Sequence, residues 1–196
     1  MDESVLKAIA KWPNVPAVYG WLSLDRRGQW QIKDDRITNA LVTGFIGRNY
    51  SADLQGRWFF QNGPQRVYVR LDYTPYVFFV ERTDGEFVLL THTGVRANQI
   101  REALVDENGA VVLRTDIGVG AVCDRDLPVL ADALVTSAGR PVDESDMTDF
   151  LRGIGTPLYL ATGIRRVLLT TGASSELPKR FAYVADPKPA PGEADC

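Results

Sequence analysis

Apolar and polar positions alternate most regularly between Gly56 and Val95. Trp58, Phe59 and Phe60 run into the polar stretch Gln61-Asn62-Gly63-Pro64-Gln65-Arg66. Beyond it, Val67, Val69, Leu71 and Tyr73 alternate with Tyr68, Arg70 and Asp72. A period of two sets four apolar side chains on one sheet face and Tyr, Arg and Asp on the other. The pattern predicts a half-exposed antiparallel sheet. Further strands are expected at 77–81 and 87–91, on either side of a Thr83-Asp84-Gly85 turn, and at 111–114 after Asn108-Gly109. Pro75 separates the first two strands or sits on an edge, because proline has no N–H to give a ladder.

Upstream, Val5, Leu6 and Ile9 have helical spacing, and Pro13 ends that segment after Trp12. Segments 18–24 and 29–33 flank Asp25-Arg26-Arg27-Gly28, a good hairpin loop, and Trp21 and Trp30 are expected to anchor a sheet face. Ile37, Leu41 and Phe45 recur every four residues. They predict a helix over about 39–48, with Thr38 or Asn39 as its cap.

Downstream, Leu127, Leu130, Ala131, Leu134 and Val135 read as one amphipathic helix. Asp126 is its expected cap, Pro128 lies in its first turn and Gly139 stops it. Residues 143–152 read as a shorter acidic helix, 164–170 as a strand and 181–184 as a short one. The fold class this implies is α+β: a mainly antiparallel sheet with a few helices segregated to one face or end. Residues 1–185 are expected to form a single globular domain, with any small C-terminal lobe starting near 140. The Pro-rich stretch 186–196 reads as a disordered tail.

Phe45-Ile46-Gly47-Arg48-Asn49-Tyr50, the run Gly56-Arg57-Trp58-Phe59-Phe60-Gln61-Asn62-Gly63-Pro64-Gln65-Arg66-Val67-Tyr68-Val69, and Asp124-Arg125-Asp126-Leu127 resemble an uncharacterised proteobacterial family of unknown function. The likeness spans most of the chain to about Leu134 and is weaker beyond. It implies a bacterial cytosolic housekeeping or accessory protein and carries no catalytic residues with it.

The chain has 196 residues, 45% apolar and 24% charged, with a net charge of −3, so no global basic field attracts nucleic acid or anionic lipid. The N-terminus Met1-Asp2-Glu3-Ser4 does not read as a signal peptide, and no apolar run is long enough for a membrane span. Cys123 and Cys196 are the only cysteines, and Cys196 follows the Pro-rich tail. A disulfide is not expected, and the expected compartment is a reducing cytoplasm.

Four groups of residues are candidates for chemistry. Gln61, Asn62 and Arg66 in the central turn can hydrogen-bond a ligand, with Arg66 taking a phosphate or carboxylate through its fork; the plainer reading is turn geometry. Arg48, Tyr50, Arg57, Trp58, Arg66, Tyr68, Arg70 and Tyr73 mix cations with rings, as single-stranded nucleic-acid binders do. Asp53 and Asp72 dilute that charge, and a core plus a self-paired face is the favoured reading.

Asp124 and Asp126, two apart on an extended segment after Gly118-Val119-Gly120, would face one way and could hold Mg²⁺ with waters, but Asp126 is wanted as a cap and the glycine pattern lacks a third glycine. His92 is the only histidine, so a histidine-rich metal site is excluded. Ser174 and Ser175 lack a nucleophile-elbow motif, and Cys123 reads as a small buried hydrophobe.

No catalytic residue, metal ligand or cofactor is assigned. The reading is a non-catalytic binding or accessory module that takes an unknown small ligand or protein partner, as a monomer or homodimer. Arg57, Gln61, Asn62, Arg66, His92, Asp124 and Asp126 are its candidate ligand-binding residues. One alternative is an enzyme whose cleft joins Arg66, His92 and Asp124; the other is a nucleic-acid domain on the arginine–aromatic surface.

Overall fold

A computed structural model describes residues 1–83, 86–163 and 165–192. The chain forms two compact units. The first comprises Met1–Pro75, His92–Gly94 and the chain from Pro178 onward; the second comprises Tyr76–Thr91 and Val95–Leu177. The class is α+β, as the hydropathy pattern indicates, but both sheets are mixed rather than purely antiparallel.

In the first unit, α1 (Glu3–Lys11) precedes β1 (Val18–Leu24), β2 (Trp30–Ile32), β3 (Asp35–Arg36), α2 (Ala40–Arg48), β4 (Tyr50–Ala52), β5 (Trp58–Asn62) and β6 (Gln65–Leu71). The sheet order is β3-β2-β1-β6-β5-β4. The hairpins β1–β2 and β5–β6 are antiparallel, and β6 joins β1 in parallel. That parallel pairing is a long-range choice that the local alternation of β6 does not announce.

Several local signals hold. Asn39 caps α2, its side chain accepting from Leu41 N at 2.9 Å and Val42 N at 3.3 Å, which satisfies two of the helix's orphan donors. Asp25 Oδ1 accepts from Arg27 N and Gln29 N and closes the first hairpin. Trp30 is 2% exposed, but Trp21 is 48% exposed, so only one of the two tryptophans anchors a core.

Tyr68 departs from the solvated-face expectation. It is buried with Tyr19 and Phe59, whose rings stack and edge against it. Both sheet faces are therefore covered at that position, and Arg70 and Asp72 continue the polar row toward solvent.

The C-terminal segment closes this unit after α5 (Leu177–Arg180). Val184 N donates to Gly56 O at 2.9 Å, Leu71 N to Ala185 O at 2.7 Å, and the Tyr183 hydroxyl to Tyr73 O at 2.8 Å. The expected strand at 181–184 is reduced to one bridge between Arg57 and Val184. Gly56 permits this approach: its φ of 77° suits glycine, and a Cβ there would run into the Ala182 carbonyl.

In the second unit, β7 (Tyr76–Thr83), β8 (Glu86–Thr91), β9 (Arg96–Ala97), β10 (Ile100–Asp106), β11 (Val111–Thr115) and β12 (Val119–Val122) are followed by α3 (Leu127–Ala131), β13 (Leu134–Thr136), α4 (Glu144–Leu151), β14 (Leu158–Thr162) and β15 (Arg165–Gly172). The order β13-β14-β15-β10-β11-β12-β7-β8-β9 contains two parallel pairs, β15 with β10 and β12 with β7. Its core is built on Phe78, Leu113, Leu158, Leu160 and Leu169.

The helix expected from Leu127 to Val135 stops at Ala131. Leu134 and Val135 instead pair with Leu160 and Tyr159, because a strand partner from outside the segment outweighs helical spacing. The acidic helix is present, with a full capping box between Asp143 and Asp146. Of the expected turn at 83–85, Asp84 and Gly85 lie outside the described residues, as do Ile164 and Cys196.

Candidate functional site

The first unit places Arg57, Gln61, Arg66 and Tyr68 on one half-open cavity of about 480 Å³, lined also by Pro13, Val15 and Pro16. The strand pleat explains the grouping. Residues 57, 59, 61, 66 and 68 of the β5–β6 hairpin share a face, while Phe60, Asn62, Gln65 and Val67 line a different, apolar cavity. Two candidates from the central turn thus face one way and Asn62 the other.

Arg57 is held from behind. Asp53 opens a turn in which its Oδ1 accepts from Gln55 N and Arg57 N, each at 3.0 Å, and Gly56 N donates to Asp53 O. Its second oxygen accepts Arg57 Nε at 2.7 Å and the Tyr68 hydroxyl at 3.0 Å. Arg57 also donates to the Tyr68 hydroxyl at 2.9 Å and to the Tyr19 hydroxyl at 3.3 Å. The ion pair is enclosed: the Arg57 and Asp53 side chains are 16% and 6% exposed.

Burial opposes ionisation of Asp53, but the bonds from Arg57 and Tyr68 outweigh it and hold its pKa below the usual carboxylate value. Burial pushes the Tyr68 hydroxyl up, Arg66 pulls it down and Asp53 raises it further. Arg66 also lies over the Phe59 ring at 4.6 Å. No carboxylate lines the cavity among the described residues, whereas two guanidinium groups do. Asp53 and the Pro13-to-Ala17 loop were missing from the sequence-derived site. The available signal was Asp53-Leu54-Gln55-Gly56-Arg57, a turn with Asp first and Gly fourth that aims the following arginine.

Gln61 is buried, and its amide donates to Gly63 O at 2.9 Å, so it sets the turn as well as lining the cavity. His92 lines a separate cavity of about 360 Å³ with Arg36, Thr38 and Thr43. Its ring packs on Trp30 (5.1 Å) and Tyr50 (5.7 Å), and burial lowers its pKa to about 3.

Neutral His92 has a consequence for stability. Between pH 6.5 and 3 the unfolded chain binds a proton that the fold does not, so stability falls with falling pH and is unaffected by this group above 6.5. The slope is up to about 1.4 kcal/mol per pH unit. All four tryptophans, Trp12, Trp21, Trp30 and Trp58, belong to the first unit, so their emission reports its unfolding. Urea unfolding at pH 6.5 and 4.5 is expected to show this loss in the wild type and a flatter dependence in His92→Phe; equal slopes would remove the explanation.

Asp124 and Asp126 lie in the second unit, on a 3₁₀ turn rather than an extended segment. Asp126 does not cap α3 with its side chain. Its Oδ2 accepts Val80 N at 3.0 Å, while Asp124 Oδ1 accepts Arg125 N. Gly120 faces Tyr76 and Phe78, so its missing side chain accommodates the neighbouring strand. Cys123 is buried, which raises its thiol pKa. Ser174 bonds Glu107 through both N and Oγ. Arg66 and His92 thus line different cavities, and Asp124 belongs to the other unit. Arg48, Arg57 and Arg70 are paired with Asp2, Asp53 and Asp34 respectively.

A family model described as "Protein of unknown function (DUF2946)" matches residues 1–188. The chain belongs to that family. Nothing among curated proteins matches it. Among solved structures it is similar to a DUF1285 family protein from Silicibacter pomeroyi DSS-3, at 16% identity and TM-score 0.53, over 86% of this chain and 96% of that one. A DUF1285 family protein from Shewanella baltica OS155 is similar at 14% identity and TM-score 0.43, over 59% of this chain and 90% of that one. The first likeness shows a shared fold. Among the described residues no helix is long and apolar enough to cross a membrane.

Proposed function

We propose that this protein is a non-catalytic binding module whose first unit takes a small anionic ligand, a carboxylate or phosphate, between Arg57 and Arg66. One observation carries the reading: two guanidinium groups, with Gln61 and the Tyr68 hydroxyl beside them, line a cavity that no carboxylate lines among the described residues. Arg57 is already oriented by Asp53 and two tyrosines, so little side-chain freedom is lost when an oxyanion docks. Arg66, on the exposed side, supplies the charge that Asp53 does not offset.

The test uses inorganic phosphate and succinate as probes, with tryptophan emission following thermal unfolding. A ligand at ten times its Kd stabilises the folded state by about 1.4 kcal/mol. Arg66→Ala is expected to melt like wild type without probe and to lose that gain. Full stabilisation of Arg66→Ala by either probe, or none of the wild type by both, would count against the site.

A further inference from the structure

The walls of the Arg57–Arg66 cavity differ in chemistry. Its charged and most of its polar side chains, Arg57, Gln61, Arg66 and Tyr68, come from the β5–β6 hairpin and its entry. The apolar ones come from around it. Ile9 belongs to α1, Pro13, Val15, Pro16 and Ala17 to the segment joining α1 to β1, and Pro64 to the hairpin turn; Asn14 is the one polar side chain that the α1–β1 segment adds.

The apolar wall is held in place. Pro13, Pro16 and Pro64 have φ fixed by their rings, and Gln65 Nε2 donates to Pro16 O at 3.1 Å, tying the segment to the hairpin. Ile9, Val15, Ala17 and Pro64 are half-buried and Pro13 and Pro16 exposed, so each keeps apolar surface that a hydrocarbon would take out of water. A wall already ordered loses little freedom when a ligand lies against it.

Charge is restricted too. Arg57 and Arg66 are the only charged side chains lining the cavity among the described residues, and Asp53 offsets Arg57 at 2.7 Å. The three groups together carry one positive charge. One negative charge balances it. A second would enter a cavity partly walled by hydrocarbon with no cation left to meet it.

We infer that the ligand of this site is a hydrophobic monocarboxylate. Its single carboxylate meets Arg66 and Arg57, and a compact apolar body lies against Ile9, Val15 and the prolines. A cavity of about 480 Å³ is in the range of small-molecule sites and has room for such a body beside the charged group. The inference rests on the anion reading above and narrows it: doubly charged acids and phosphate esters are not the best ligands.

Phenylacetate, acetate, phenylacetamide and succinate are titrated by calorimetry into the full chain at neutral pH. Phenylacetate is expected to bind at least tenfold more tightly than acetate, which lacks the ring, than phenylacetamide, which lacks the charge, and than succinate, which carries a second charge. Ile9→Ser and Val15→Ser are each expected to weaken phenylacetate at least threefold with succinate unchanged; should one melt early, the other carries the test. Arg66→Ala is expected to bring phenylacetate down to the affinity of phenylacetamide. Acetate or succinate binding through Arg66 as tightly as phenylacetate would overturn the monocarboxylate inference and leave the anion site standing. Phenylacetamide matching phenylacetate, or wild-type phenylacetate affinity in the serine variants, would overturn the inference as well. Binding of no anion, inorganic phosphate included, would remove both.

Discussion

Asp53→Ala is expected to cost the first unit about 3–5 kcal/mol, the range for removing one partner of a buried ion pair. The carboxylate is 6% exposed and serves four donors: two backbone N–H groups of its own turn, Arg57 Nε and the Tyr68 hydroxyl. Truncation strands an enclosed guanidinium and undoes the turn that orients it. Asp53→Asn keeps one acceptor oxygen for the turn and is expected to lose less. Urea unfolding followed by tryptophan emission measures both. The same substitution is expected to weaken anion binding although Asp53 lines no part of the cavity, because Arg57 loses its support. A loss below about 1 kcal/mol would mean that the pair is effectively solvated, as exposed pairs are.

Gly120→Ala is expected to destabilise the second unit by about 3 kcal/mol, the upper part of the range for overpacking. Gly120 lies on β12 between β11 and β7. A Cβ there would stand 2.7 Å from Tyr76 O and from Phe78 Cε2, and 2.8 Å from Tyr76 Cβ. The Phe78 ring has room to turn only at the expense of a core in which it is fully buried, and the backbone oxygen has no such freedom. Tryptophan emission is blind to this unit, so amide exchange on β7 and β11 is the measurement. Protection equal to wild type would show that the strands part without cost.

What the sequence made legible was whatever depends on near neighbours. Asn39 before an apolar four-residue repeat is a helix start, and Asp143 with Asp146 is a capping pair; both are written within one turn of chain. Partners far along the chain are not written that way. Leu134 and Val135 continue a helical spacing and still join β14, more than twenty residues on. Tyr68 sits in a polar row, but tyrosine is apolar over most of its surface, and the Arg57–Asp53 pair satisfies its hydroxyl. The candidate site was half legible for the same reason: Arg57, Gln61 and Arg66 stand together in the hairpin, while Asp53 was visible only as a charge that dilutes theirs. His92 and Asp124 stood out by residue type, and the fold gives them a cluster of rings packed edge to face in one unit and a local turn in the other.

The C-terminal strap sets an order of events during synthesis. Gly56 and Leu71 take backbone partners from Val184 and Ala185, and Tyr73 O accepts the Tyr183 hydroxyl; all three partners leave the ribosome after the whole of the second unit. Domains ordinarily fold as they emerge, the N-terminal one first. Here the unit that begins the chain is the last to be finished, and its nascent form keeps those edges open while the inserted unit is already complete.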